Sequence, residues 1–464
     1  MILFFANSLD FTNPARILGI FPEPARSHFI FNRQIMYSLL EAGHHITFVS
    51  PFQEPNPPIN FTYIVPMRTK ETASEDLART DFKSLSAFQA DRLWSQYHFS
   101  FWSDLMKSRE IQNFLTSDIK VFDVIFVELL AAYECILPLA QKFKIPVIGT
   151  LSQRPWVQLS QVLSDPHPLA FLVPRLPLPR RMGFFQRFQN IYANLYFRVM
   201  IKYLWEPSLS IFYEEHFPDF YLQPDHHVSL LFSNTHPSLI STQLIPKVVE
   251  VAGIHLQPLK PLPQILEKFI NESENGVILL SFGSVSKSNI VDAKLRNVFI
   301  ETFRCLRQKV IWKFEENLKN ISENVLISDW IPQRDILAHK NVKVFISHTG
   351  AHGMFEAIDA GVPLVSIPLF WDQYPNAGLI EDIGVGIRLD FKTLTKETLL
   401  KAINEILYLR RMQKLSAEFK SRPMPPKESV VYWTEYVLRH NGTKHLEPMS
   451  AEMPLYQYLL LDCR

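Results

Sequence analysis

The densest run of reactive side chains is Phe345-Ile346-Ser347-His348-Thr349-Gly350-Ala351-His352-Gly353-Met354-Phe355-Glu356. An apolar stretch enters a glycine-containing turn and then a helical pattern. Free N–H groups and positive potential at a helix start suit a diphosphate. Gly350 and Gly353 keep the backbone open there, and His348 adds a hydrogen bond. Glu356, about one turn deeper, can accept from both hydroxyls of a ribose. His348, His352 and Glu356 also have a spacing that would suit zinc on one helical face. The glycines place His348 ahead of the helix, which breaks that face, and no metal is expected. Trp330, in Asp329-Trp330-Ile331-Pro332-Gln333, follows a strand pattern and precedes a proline turn. There an indole can stack on a base or simply fill a core. Asp372 and Gln373, just after another strand, can hold vicinal hydroxyls of a sugar. In the first half, His28 sits where a turn enters a helix. Its residue type suits a proton acceptor near neutral pH. Such a base improves when an acid fixes its tautomer. Asp123 starts a strand whereas Glu128 ends it, so geometry favours Glu128; its other open role is to cap a helix beginning near Ala131.

Strand ends and helix starts must carry these groups. Residues 16–21 read as a strand, 22–27 as a turn, 28–41 as a helix and 46–49 as the next strand. The pattern recurs at 121–128, 131–143 and 145–151, and 229–233 closes the first half. Residues 153–227, rich in proline and aromatics, read as helices and long loops over an open face. Pro258, Pro261 and Pro263 make 256–264 a linker. The second half carries strands at 276–282, 310–314, 325–328, 342–347, 363–368 and 386–389. Helices are expected at 290–306, 334–339, 354–360 and 396–407. After Pro423, Pro425 and Pro426 a helix from 427 to about 440 is expected to lie back across the first domain. Alternating strands and helices make this an α/β chain with two domains, 16–255 and 265–424, a returning helix within 425–445 and a tail at 446–464.

Composition narrows the function. A chain of 464 residues exceeds what one core usually fills. Apolar residues at 47% and charged ones at 20% mark an ordinary globular protein. Net charge is +1, without an arginine-rich stripe, so nucleic acid is not an expected partner. Cys135, Cys305 and Cys463 exclude a disulfide scaffold. Neither half shows Gly-x-Gly-x-x-Gly after its first strand, which disfavours a dinucleotide oxidoreductase. No uncharged apolar stretch is long enough to span a bilayer. Residues 1–15 hold a short apolar run without a basic start, an atypical secretory signal. Sequons at Asn60, Asn271, Asn320 and Asn441 favour a lumenal location only slightly.

Taken in order, Trp330-Ile331-Pro332-Gln333, Phe345-Ile346-Ser347-His348 with Gly350, Glu356, Gly361-Val362-Pro363 and Asp372-Gln373 resemble the UDP-glycosyltransferase family of small-molecule glucosyl- and glucuronosyltransferases. Ile17-Leu18-Gly19-Ile20-Phe21-Pro22, Arg26-Ser27-His28 and Asn32 resemble its animal members, especially insect-type ones. The resemblance covers about residues 16–464. It implies a GT-B-like fold, two facing Rossmann-like domains with a cleft between them, donor in the C-terminal domain and acceptor in the N-terminal one. It implies that Trp330 stacks on uracil, Gln333 lies near base and ribose, and Glu356 holds the ribose. Ser284, His348, Gly350, His352 and Gly353 would meet the diphosphate, and Asp372 and Gln373 the sugar. His28 would be the catalytic base and Glu128 its supporting acid, in a place where the family usually has Asp. His352 stands where many relatives have Asn, and Trp371 where a small residue is commoner. The implied reaction is an inverting transfer of a hexosyl group from a UDP-sugar, glucose favoured over glucuronic acid, to a hydroxyl of a small lipophilic acceptor. No tightly bound cofactor is implied. A UDP-sugar epimerase or hydrolase on the same fold, or an inactive UDP-binding relative, are the rival readings. Animal members usually sit in the endoplasmic reticulum membrane, lumenal side, through a C-terminal transmembrane helix. This sequence ends at Tyr458–Arg464, near where that helix would begin, and 446–464 does not contain it. Sequence leaves the oligomeric state open.

Overall fold

Short apolar runs build thirteen strands among the described residues. The computed structural model describes residues 13–66, 86–116, 122–130, 132–154, 178, 182–219, 228–239, 245–283, 293–316, 318, 320–369, 371–407, 411–448, 453–458 and 462. One sheet holds β1 (Arg16–Ile20), β2 (His45–Val49), β3 (Phe61–Ile64), β4 (Val124–Glu128), β5 (Val147–Leu151), β6 (Leu230–Ser233) and β7 (Val248–Glu250), ordered β3-β2-β1-β4-β5-β6-β7. The other holds β8 (Val277–Ser281), β9 (Lys309–Lys313), β10 (Val325–Ser328), β11 (Val342–Ser347), β12 (Leu364–Ser366) and β13 (Gly386–Arg388), ordered β10-β9-β8-β11-β12-β13. All pairings are parallel. A parallel sheet covered on both faces needs strands that are apolar throughout. β4, β5, β6 and β8 are accordingly buried at every position.

Each sheet starts in its middle, grows to one edge, then resumes beside its first strand and grows to the other. The reversal falls between β1 and β4 in one sheet and between β8 and β11 in the other. Connections leave such a point in opposite directions and open a crevice at the carboxyl ends of the strands.

Sequence pattern does not reveal β3 or β7, which are short edge strands, nor the helices Ala87–Lys107 and Arg109–Thr116. The helix expected over 131–143 is split into a 3-10 turn, Tyr133–Ile136, and an α-helix, Leu137–Phe143. Pro138 is the reason, since proline fits only the first turn of a helix. The helix expected from 354 begins at Ala351, with Gly350 as its N-cap. The segment joining the sheets is irregular, as its prolines require, and is tied to the second domain. The Ala252 carbonyl accepts from Arg422, the Gln257 carbonyl from Arg334, and the Lys260 amide donates to Asp335. The helix Pro426–His440 packs on the helix Arg26–Glu41, with Val430 and Val437 fully buried in the first domain's core. No helix among the described residues is long and apolar enough to cross a membrane.

Candidate active site

His28 lies in the first turn of the helix that follows β1, and Glu128 is the last residue of β4. The strand order therefore sets both at the first crevice. The Nδ1 of His28 is 2.7 Å from Oε1 of Glu128. Asn32, one turn beyond His28, donates from Nδ2 to Oε2 of Glu128 at 2.8 Å. Thr150, register partner of Glu128 on β5, donates to Oδ1 of Asn32 at 2.6 Å and so fixes which way that amide faces. The Ser152 amide donates to Glu128 at 3.2 Å, its hydroxyl lies 3.0 Å from Nδ1 of His28, and its carbonyl accepts from Asn234. Glu128 is 5% exposed, and among the described residues its carboxylate meets His28, Asn32 and Ser152, while the 3-10 turn Tyr133–Ile136 has Ala132 as its N-cap and no side-chain cap. With Nδ1–H given to Glu128, Nε2 is the nitrogen left for a substrate. Burial alone would lower the His28 pKa, but the charge and hydrogen bond of Glu128, with Glu23 and Asp372, push it up to about 9. Burial opposes the Glu128 charge too, yet His28 and Ser152 hold its pKa below the ordinary value. At neutral pH the pair is ionised. Glu23, between Pro22 and Pro24, feels the charge of His28; burial raises its pKa to about 7 against the pull of that imidazole.

The second crevice lies between β8 and β11. His348 directly follows β11, and a Cβ on Gly350 would come within 2.6 Å of its Nε2. Gly283, after β8, is equally close, a Cβ there lying 2.8 Å from Cε1 of His348. The imidazole thus occupies the space that two glycines leave. Burial pushes its pKa down to about 4. Gly350 supplies no side-chain cap to the helix Ala351–Ala360, so first-turn N–H groups stay available to an anion. His352 and Gly353 lie in that turn, and burial, with His255 and His28, keeps His352 uncharged at neutral pH. Glu356, on the next turn, accepts from Nε2 of Gln333 at 2.5 Å. Burial raises its pKa to about 7, resisted by Gln333 and Arg334. Trp330 is 70% exposed at the turn leading to Gln333. Asp372 accepts from Asn376 at 3.0 Å, and Oε1 of the buried Gln373 accepts from the Leu369 amide at 2.9 Å. Ser284 lies outside the described residues.

The two crevices face each other. His28 and Asp372 feel each other's charge, and burial raises the Asp372 pKa against the pull of His28, Asn376 and Arg154. Arg154, just past β5, donates across the cleft to the Pro375 carbonyl at 2.8 Å and to Asn376 at 3.2 Å. The rings of Trp94 and Trp371 meet edge to face with centroids 4.3 Å apart. Glu23, Ser152, Thr150, Arg154 and Asn376 escape a reading of the sequence alone. Asn32, one helical turn from His28, carried a usable signal; the others gain their role only from strand register or from the opposite domain.

A family profile described as "UDP-glucoronosyl and UDP-glucosyl transferase" matches residues 20–463. The chain belongs to this family. Among similar UDP-glycosyltransferases, UDP-glucosyltransferase 2 of Dactylopius coccus is 34% identical over all of this chain and 91% of its own length. UDP-glucuronosyltransferase 2B7 of Homo sapiens is 30% identical, covering 94% of this chain and 87% of its own. The fold is that of GT-B glycosyltransferases. CalG4, the calicheamicin glycosyltransferase, superposes with a TM-score of 0.61 at 14% identity, over 92% of this chain and 99% of its own. A UDP-glucosyltransferase from Polygonum tinctorium superposes with a TM-score of 0.60 at 15% identity, over the same shares. As a member of this family the chain transfers a glycosyl group from a UDP-sugar.

Proposed function

We propose that Nε2 of His28 takes the proton of an acceptor hydroxyl as that oxygen attacks the anomeric carbon of a UDP-hexose. The new carbon–oxygen bond forms opposite the departing one, UDP leaves, and an α-linked donor gives a β-glycoside. Glu128 holds the imidazole and balances its developing charge. The contact of His28 with Glu128, facing Asp372 across the cleft, carries this reading. Exposed Trp330 offers a face to uracil, and Gln333 holds Glu356 ready for the ribose. His348, Gly350, His352 and Gly353 border the diphosphate, whose charge then meets a helix end rather than cationic histidines. Asp372 and Gln373 take the sugar. A base with a pKa of about 9 is well matched to a phenol. Asp372, set to take the sugar, disfavours a sugar carboxylate beside it, while Arg154 is engaged by Pro375 and Asn376. Glucose is therefore favoured over glucuronic acid, as in the Dactylopius relative's name.

The test is His28→Ala, assayed with UDP-glucose and a phenol. Turnover should fall about 10³-fold while UDP affinity stays unchanged; full turnover at unchanged affinity sinks the assignment. In the wild type, UDP-glucuronic acid should be used less efficiently than UDP-glucose, and the reverse order removes the donor assignment.

A further inference from the structure

His255 and His352 stack face to face, with ring centroids 4.1 Å apart and planes 9° from parallel. His352 belongs to the first turn of the helix Ala351–Ala360, whereas His255 comes from the irregular segment that joins the two sheets. His255 is 7% exposed, and its Nε2 lies 3.3 Å from the His352 carbonyl oxygen. A carbonyl only accepts, so Nε2 of His255 carries the proton. Nδ1 of His255 and Nε2 of His352 are both buried without a hydrogen-bond partner among the described residues. Burial keeps both rings uncharged at neutral pH, which lets them approach so closely. The segment presenting His255 is itself fixed. Gly253 has φ +83°, and a Cβ there would come within 2.9 Å of Phe419; Arg422 and Arg334 hold the carbonyls of Ala252 and Gln257.

We propose that His255 is a positioning residue for the donor diphosphate: it grips the His352 carbonyl and stacks on the His352 ring. The first turn then presents its N–H groups and that imidazole in a single orientation. This rests on reading the helix end as the diphosphate site. A buried ring on a pinned loop removes the rotamer freedom that a lone His352 would have to lose on binding.

The full-length chain is titrated with UDP and separately with uridine, as wild type, His255→Ala, His255→Phe and His255→Gln. Phe keeps a stacked ring without a donor, and Gln keeps a donor without the ring. The Ala variant should bind UDP about tenfold more weakly and uridine within about twofold of wild type, with Phe and Gln each recovering part of the loss. On a His352→Ala background the effect of His255→Ala should shrink. Unchanged UDP affinity in every variant overturns the proposal, as does an equal loss for uridine and UDP, or full additivity with His352→Ala. If the Ala variant does not fold, the volume-preserving Phe and Gln variants decide by the same criteria. A wild-type chain that binds uridine but not UDP overturns the diphosphate reading itself, a result distinct from variants that match a UDP-binding wild type.

Discussion

The carboxylate of Glu128 accepts at once from the His28 ring, the Asn32 amide and the Ser152 backbone. Nearly buried, it acts on His28 through little solvent, and its charge does more for the imidazolium than geometry alone would. The sign of its removal follows. The base proposed at His28 works in its neutral form, so kcat/KM of the wild type should rise with pH until about 9, the raised pKa of His28. In Glu128→Gln the amide oxygen still accepts from Nδ1 but the charge is gone. The rising limb should move down toward 6.5, the ordinary value, and the plateau should drop roughly 10²-fold or more. A pH profile of kcat/KM for both proteins checks this, and a limb that stays in place refutes it. Stability follows the same linkage. The contribution of His28 is full below 6.5 and fades as pH rises through about 9. That of Glu128 is full above 4.5 and fades as pH falls through its lowered value. Local pattern places these two residues at a helix start and a strand end, and the family resemblance singles them out. Neither brings forward Ser152, whose value lies in β5 running beside β4.

At the scale of the element, the helix Ala351–Ala360 separates two uses of glycine. Gly350 has an ordinary φ of −62°, so alanine there is not strained in its backbone; its Cβ would instead push into His348. Gly361, the C-cap, has φ +73°, and a Cβ there meets nothing closer than 3.8 Å. Gly350→Ala should therefore weaken UDP binding about tenfold with little loss of stability. Gly361→Ala should cost about 1 kcal/mol of stability and leave UDP binding alone. Thermal unfolding and UDP titration of the two variants separate the effects, and a matching pair of profiles would contradict the assignment of His348 to the ligand. The sequence shows that a helix begins here but treats Gly353 as lying before it; a glycine within the first turn costs too little to delay the start. Periodicity misleads elsewhere as well. The helix Phe184–Met200 buries Asn190 and Asn194 and exposes Phe184, Phe188 and Tyr192, so its apolar residues do not mark its inner face. Central strands are more legible, because burial on both faces demands an unbroken apolar run, and its short length between turn residues marks it as a strand.

For the whole molecule, the proposed chemistry depends on two sheets built separately along the chain and brought together at their carboxyl ends. The strand order of each sheet fixes its own crevice, but nothing in either sheet makes the crevices meet. Arg154 does part of that work, with a guanidinium from the first domain bound to Pro375 and Asn376 of the second. The partners are 221 and 222 residues apart in sequence, so no local pattern announces them, and the cross-cleft geometry is the part of the site least readable from the chain. Asn376 in turn donates to Asp372, so this bond reaches the group proposed to hold the sugar opposite His28. Removing it should separate binding from chemistry. The proposed contacts of uridine and diphosphate lie within the second domain, and Arg154→Ala should leave UDP affinity within about twofold. Bringing His28 to the anomeric carbon requires both domains, so kcat/KM should fall about 10- to 100-fold, the range of a lost charge-assisted hydrogen bond. Steady-state kinetics beside UDP titration distinguishes the cases. If UDP affinity fell as far as kcat/KM, Arg154 would be supporting the donor site itself; if neither moved, the halves would be held together by other contacts, such as Trp94 against Trp371.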